Sequence, residues 1–331
     1  MKAMVIREFG PPSVLRLEEP QRPRPGKGEV LVRVAATSVN PIDAKIRAKG
    51  LGLAADFPAT LHCDLSGVVE ELGPGVSRLK PGERVFGLGG GVKGRGGALA
   101  EFVAVDERLL APLPSGLGLV EAAAFPVVGL TAQEGLARAG LSHGERLLVQ
   151  GGSGGVGGCV MELARGLGAE VVATASARHL GLLGEAGARE AFDYKRPDLE
   201  EALLAASGGE GYDLVFDTAG GPSLDLAFRL ARPGGRVVAI AARSTHDLSP
   251  LHGKGLSLHV VFTLLPLLSG RGIEELHARL AGIAAAAAAG GLRPRLDPRR
   301  FPLAQAAAAH ELFESGGAEG KILVVVDGSL G

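Results

Sequence analysis

The chain has no tryptophan, only two cysteines (Cys63 and Cys159), two tyrosines and no surplus of either charge: 35 Lys and Arg stand against 36 Asp and Glu in 331 residues. Two cysteines cannot build a disulfide framework or a four-cysteine zinc lobe, and they fit a reducing cytoplasm. A net charge of -1 gives no long-range pull on nucleic acid or anionic lipid. A partner must therefore be recognised at a local site, which favours a small molecule. Long apolar runs are missing too. The stretch MKAMVIREFG lacks the apolar core of a signal peptide, and VVFTLLPLL is far too short to span a bilayer, so no membrane partner is expected.

What is present is enough apolar residue, 46%, to bury a sizeable core, and enough length for two domains. The first third consists of short β-branched runs (KAMVIRE, EVLVRVAATSV, LSGVVEELG, ERVFGLG, ALAEFVAV) separated by Gly and Pro turns such as Pro74-Gly75 and Pro81-Gly82. That spacing predicts an antiparallel, barrel-like domain over residues 1–122. At LVEAAAFPVVGLTAQEGLARAG the period becomes helical, with Pro126 dividing two pieces.

From Arg146, strand-like runs (RLLVQ, EVVATA, REAFDY, DLVFDT, GGRVVAIA, LSLHVVF) alternate with helical ones, so residues 123–265 are expected to form a doubly wound domain on a parallel six-stranded sheet. Residues 266–331 are too few for a third domain and are expected to complete the first. Cys159 reads as core filler. The basic stretch RPRLDPRRF reads as a solvated loop, with no stacking ladder for nucleic acid.

The most informative stretch is QGGSGGVGG, residues 150–158, in which Gly152, Gly154 and Gly157 satisfy G-x-G-x-x-G between a strand and a helix. One glycine makes the turn, one lets the amides of Ser153, Gly155 and Val156 approach an anion, and one brings the helix against the sheet. The helix N-terminus then favours a pyrophosphate. No Gly-Lys-Ser or Gly-Lys-Thr follows, which disfavours a nucleoside-triphosphate loop. At the end of the second strand, ATASARH carries no acid for a ribose hydroxyl. Ser176 and Arg178 instead offer a hydroxyl and a guanidinium for a 2′-phosphate, which points to NADP(H).

Several segments, in order along nearly the whole chain, resemble the medium-chain dehydrogenase/reductase superfamily, and within it the zinc-free, zeta-crystallin-like quinone oxidoreductases. They are SVNPIDAKIRAKG, CDLSGVVEELGPGVSRLKPGERVFG, GGALAEFVAV, EAAAFPVVGLTA, GGSGGVGG with GLGAEVVATAS, and HELFESGGAEGKILVVV. The resemblance implies an α/β fold, with a GroES-like, mostly-β substrate domain interrupted by a Rossmann domain and the active site in the cleft between them. It implies hydride transfer from NADPH to a quinone or similar conjugated carbonyl, with an enone or enoyl reductase as the alternative within enzymes and a nucleotide-binding regulatory protein as the alternative outside them. A cytoplasmic homodimer is expected, with LSLHVVF as an edge strand.

Where zinc-dependent relatives carry metal ligands this chain has Asn40 and Cys63, the latter followed by Asp64, so no metal is expected. By the same resemblance Asn40 lies near the nicotinamide and could donate to a carbonyl, Asp43 lies near the cleft, and Thr131 faces the nicotinamide or its ribose. Tyr194 packs on the adenine ribose side, and Lys321 lies at the cofactor end. The other reading of each is local: turn shaping for Asn40, a helix N-terminal charge for Asp43, helix packing for Thr131, strand-end burial for Tyr194, and a strand-start lysine at 321. One departure matters. Relatives place a tyrosine shortly after the SVNPID-like segment, whereas this chain has LGLAADFP. That predicts a preference for quinones over enoyl thioesters and leaves the general acid unassigned.

Overall fold

A ten-residue strand, Glu29–Ser38, organises the first of two units in the computed structural model, which describes residues 1–54 and 56–330. Its run EVLVRVAATS is buried at all but two positions, as a strand covered on both faces must be. It pairs antiparallel with Asp64–Leu72, Phe102–Asp106 and Lys321–Val325, and Arg84–Leu88 and Leu110–Pro112 extend the sheet beyond Asp64–Leu72. A smaller sheet joins Ala3–Ile6 to Arg16–Glu18 and Ala59–Thr60. Gly67 is required where two strands meet, because a Cβ there would lie 2.2 Å from the Arg33 carbonyl oxygen. This is the mostly-β unit that the spacing of short strands predicted and that the resemblance gave as GroES-like.

The C-terminal segment returns to this unit, since Leu323, Val324 and Val325 face Ser38, Thr37 and Ala36. RPRLDPRRF is not simply a loop. Leu296–Pro302 is a strand lying parallel to Lys321–Val325, with Asp297 fully buried. The Arg299 guanidinium, 2.7 Å away, holds that carboxyl down to about 2. The turn-like composition hid a strand whose edge is supplied by residues about 25 positions downstream.

The second unit comprises Thr131–Thr263 with Gly291–Arg293, and the first comprises Met1–Leu130, Leu264–Gly290 and Pro294–Gly331. The division thus falls inside the helix Pro126–Ala139 rather than at residue 122. The helix begins in the first unit, where the Val127 N–H donates to Asp64 Oδ1 at 2.7 Å. A change of period marks where helices start, not the unit on which they pack.

Six parallel strands form the sheet of the second unit: in spatial order Glu190–Asp193, Glu170–Ala175, Arg146–Gln150, Tyr212–Asp217, Ala231–Ala239 and Ser257–Val260. This is the doubly wound, Rossmann order, which reverses between Arg146–Gln150 and Tyr212–Asp217. In register, Gln150, Asp217, Ala239 and Val260 form one row across the carboxyl edge. Helix Gly155–Gly166 buries Gly157, Cys159, Val160, Met161 and Ala164 along one face, so Cys159 does fill core. Tyr212 is fully buried, its hydroxyl donating to the Leu203 carbonyl at 2.8 Å.

Candidate functional site

In the second unit the strand Arg146–Gln150 ends in a turn at Gly151 (φ +82°), and the helix starts at Gly155 with Gly154 as its cap. The close approaches explain the other glycines. A Cβ on Gly152 would lie 2.8 Å from Met161 Sδ, and one on Gly157 would lie 2.3 Å from the Gly151 carbonyl oxygen. Among the described residues no protein group accepts from the N–H groups of Ser153, Gly155, Val156 or Gly157, and Gly154 and Gly155 are exposed. The result is a row of free donors at the positive end of a helix dipole, which suits a pyrophosphate. Beside it, the side-chain oxygen of Gln150 is buried without a hydrogen-bond partner.

At the end of the neighbouring strand Ser176 caps a short turn and shares a hydrogen bond with His179 Nδ1 at 3.2 Å, while Arg178 is exposed. The Tyr194 N–H donates to the Ala175 carbonyl at 3.0 Å, which brings this half-exposed ring next to Ser176. Ser176, Arg178 and Tyr194 are therefore gathered at one place on the carboxyl edge.

The first unit holds a buried polar cluster. Asp64 is fully buried and accepts from Ser38 Oγ, from Asn40 Nδ2 at 2.7 Å, from Lys321 Nζ at 3.2 Å and from the Val127 N–H. Lys321 Nζ also donates to Asn40 Oδ1 at 2.7 Å and to the Val39 carbonyl at 3.3 Å. All three ammonium donors are directed at the protein, from the first residue of the strand Lys321–Val325. Asn40 is held at both ends of its amide and retains one uncommitted amide hydrogen.

Asp43 sits in the first turn of helix Pro41–Lys49 and does more than charge it. Its Oδ2 accepts from the Asn40 N–H at 2.9 Å and its Oδ1 from the Cys63 N–H at 3.2 Å. Burial, reinforced by the nearby Asp64 charge, raises its carboxyl to about 7. Burial likewise pushes the Cys63 thiol well above its ordinary value. Thr131 is buried in the helix Pro126–Ala139.

Next to this cluster lies a histidine pair, His62 and His310, whose members are 248 positions apart and carry no local signal of each other. Their Nε2 atoms are 2.9 Å apart, and His62 Nδ1 is 3.2 Å from Thr37 Oγ1. Because the Thr37 hydroxyl donates to the Asp64 carbonyl at 2.6 Å, it accepts from His62 Nδ1–H, and His310 Nε2–H donates to His62. Both rings are neutral: burial holds His62 well below its ordinary value and His310 down at about 3.

These residues do not suit a zinc ion. Asp64 is saturated by four donors, Cys63 is held as a thiol, and Asn40 is an amide. Among the described residues no three His, Cys, Asp or Glu side chains come together as a metal group. Among the described residues no helix is long and apolar enough to cross a membrane. Within LGLAADFP, Ala55 lies outside the described residues. Phe57 is exposed and its ring lies 4.9 Å from that of Phe9.

Comparison with known proteins places this geometry in a family. The alcohol dehydrogenase GroES-like domain matches residues 26–115, and the family described as zinc-binding dehydrogenase matches residues 186–324. The NADPH-dependent alkenal/one oxidoreductase of Arabidopsis thaliana chloroplasts is 33% identical over 334 residues, spanning 98% of this chain and 79% of that protein. The quinone oxidoreductase of Rattus norvegicus is 30% identical over 330 residues and is matched over 98% of both chains. Among solved structures, an alcohol dehydrogenase superfamily protein from Novosphingobium aromaticivorans superposes with a TM-score of 0.94 at 39% identity, over 99% of this chain and 100% of that one. A mycobacterial protein solved in complex with NADPH gives 0.87 at 28% identity, over 98% of this chain and 100% of that one. The chain belongs to the medium-chain dehydrogenase/reductase superfamily, in its quinone oxidoreductase branch.

Proposed function

We propose that this protein is an NADPH-dependent, zinc-independent oxidoreductase that reduces a quinone or a similar conjugated carbonyl. The observation that carries the reading is the glycine cradle, where four backbone donors without protein acceptors stand at a helix N-terminus between glycines that a Cβ would close. The relatives are named for NADPH, quinones and alkenals, which supports the same cofactor and substrate class.

When bound, NADPH supplies the hydride. Ser153, Gly154, Gly155, Val156 and Gly157 hold its pyrophosphate, with Gly152 making room at the turn. Ser176 and Arg178 hold the 2′-phosphate, and Tyr194 packs on the adenosine ribose beside them. Asn40, Asp43 and Thr131 orient the acceptor, Asn40 through the amide hydrogen that Asp64 does not take. Lys321 keeps that amide in place from within the protein. A carbonyl conjugated to further unsaturation accepts hydride readily because its negative charge spreads onto oxygen, so the protein's task is orientation, exclusion of water and hydrogen bonding.

We further propose a cytoplasmic homodimer. Among the described residues Ser257–Val260 pairs on one side only, with Ala231–Ala239, and Val260 is exposed, which supports pairing with a second copy.

The deciding experiment titrates NADPH and NADH by their own fluorescence, which no tryptophan overlaps in this chain, and then follows cofactor oxidation against a panel of quinones and enones. Saturable NADPH binding with turnover of at least one class is expected. Absence of saturable binding refutes the reading.

A further inference from the structure

The proton that must accompany the hydride has no assigned donor so far, and each Asp43 carboxylate oxygen is already engaged by a backbone N–H. The second unit offers one. Ser244 Oγ lies 2.6 Å from His246 Nε2, and His246 Nδ1 lies 2.7 Å from Asp225 Oδ1. The imidazole is 8% exposed and packs edge-on against Phe228, with ring centroids 6.0 Å apart, while Ser244 is exposed. Both ring nitrogens are thus committed, one to a carboxylate and one to a hydroxyl that faces outward. A loop staple requires only one such bond.

The position of this chain of groups matters as much as its geometry. Ser244 follows Ala231–Ala239, whose last residue stands in one row with Asp217 and Gln150. Contact is continuous along that edge. Thr218 Oγ1 donates to the Gln150 carbonyl at 2.7 Å, and Gly220 (φ +75°) fits so closely on Ala241 that a Cβ would lie 2.1 Å from its carbonyl oxygen. Ala239, at the end of the strand that leads into the Ser244 loop, stands two strand spacings, about 10 Å, from Gln150 of the cradle strand, on the side opposite Ser176 and Tyr194. A dinucleotide crosses the crevice at the strand-order reversal, so with its adenosine at Ser176 its other half extends toward this loop.

We propose that Ser244, His246 and Asp225 form a proton relay serving the reaction, with Ser244 as the group that touches the acceptor and His246 and Asp225 as positioning residues. This rests on the reading of the protein as a reductase. The relay runs from the imidazolium form, in which Nε2–H points at Ser244 Oγ and frees the hydroxyl hydrogen to face the acceptor. When the acceptor takes two electrons as hydride at its β-carbon, the C=C π bond becomes an enolate. The Ser244 O–H bond breaks as its proton moves to that enolate, the His246 Nε2–H proton replaces it on Oγ, and neutral His246 takes a proton from water. Asp225 accepts from Nδ1–H throughout and balances the imidazolium charge.

An enolate needs this proton far more than a hydroquinone anion, which can leave and be protonated by water. Two measurements test the relay. In the cofactor-free protein, proton NMR should show a downfield, slowly exchanging His246 Nδ1–H resonance that Asp225→Asn abolishes. With NADPH present, Ser244→Ala should lower the enone-to-quinone ratio of kcat by about 10²-fold, the low end of general acid catalysis, and Ser244→Thr should restore most of it. Absence of that resonance, or equal loss on both acceptor classes, or no loss on the enone, overturns the relay. Wild-type protein that turns over neither class refutes the reductase reading itself, and the relay with it. Folding is not at risk, because Ser244 lies on an exposed loop.

Discussion

Replacing Lys321 with Met removes the cation that the strand Lys321–Val325 brings into the first unit's buried cluster and leaves its methylenes. The ammonium is 3.2 Å from the fully buried Asp64 carboxylate and also holds Asn40 Oδ1 at 2.7 Å. At an effective dielectric near 20, two charges at that separation attract by about 5 kcal/mol. Breaking a buried pair from one side typically costs about 3–5 kcal/mol, because the remaining charge stays buried. In a unit of 150–250 residues each kcal/mol moves the midpoint by roughly 2–4 °C, so the first unit should melt about 10 °C lower. The loss should grow with pH. Asp43, already raised to about 7, loses in the variant one of the charges that favour its ionised form, so its carboxyl is driven further up and the cost of ionising a second buried carboxylate without a cation grows as pH rises. Calorimetry at pH 6 and pH 8 reads this directly, and Lys321→Met with Asp64→Asn should recover much of the loss. A midpoint within about 2 °C of wild type at pH 8, or a pH-independent loss, refutes the reasoning.

Gly157→Ala places a methyl 2.3 Å from the Gly151 carbonyl oxygen, where only backbone can move, and should weaken NADPH binding by about tenfold or more in a fluorescence titration, equivalent to about 1.4 kcal/mol. Unchanged affinity would remove the glycine from the cradle. Arg178→Ala should lower the ratio of NADPH to NADH affinity; an unchanged ratio removes it from the 2′-phosphate site. Acid should destabilise the fold. His62 and His310 are held neutral below the unfolded value near 6.5, so each subtracts about 1.4 kcal/mol per pH unit as pH falls below it, while the raised Asp43 carboxyl returns about as much as one of them. Urea unfolding at pH 6.5 and 4.5 should therefore show a net loss, and equal stabilities contradict the histidine assignment. Leu258→Pro removes an N–H from the edge strand and should give a monomer by light scattering, where wild type gives a dimer.

The cradle was legible because its constraints are local. Turn, close approach and helix packing each demand glycine within eight residues, and the strand and helix on either side have their own periods. The six-strand alternation was legible for the same reason, since hydrophobic period changes with the element that carries it. Asn40, Asp43, Lys321 and Thr131 came from resemblance alone, and nothing in their spacing foretold that Asn40 and Lys321 meet at Asp64. Their separations along the chain run to 281 residues, and a buried ion pair leaves no periodic trace. The Ser-Thr-His sequence at 244–246 was visible but uninformative without Asp225, which a different helix supplies.

The buried cluster and the cradle also differ in what they demand of substitutions. In the cradle the backbone is the functional group, so side chains enter only by their absence and a single methyl is the relevant perturbation. At Asp64 four donors from three separate stretches of chain converge on one carboxylate: Ser38 and Asn40, Val127, and Lys321. No one donor defines the site, yet the carboxylate fixes the end of a central strand, the start of helix Pro41–Lys49, the start of helix Pro126–Ala139 and the last strand. Asn40 caps the first of those helices, so its position is inherited from a charge it does not share. The strength of that coupling follows from burial: with no water to substitute for a lost donor, each is worth more than at the surface. Substitutions around Asp64 should consequently change turnover and stability together, whereas substitutions in the cradle should change cofactor affinity and leave the melting of the first unit alone.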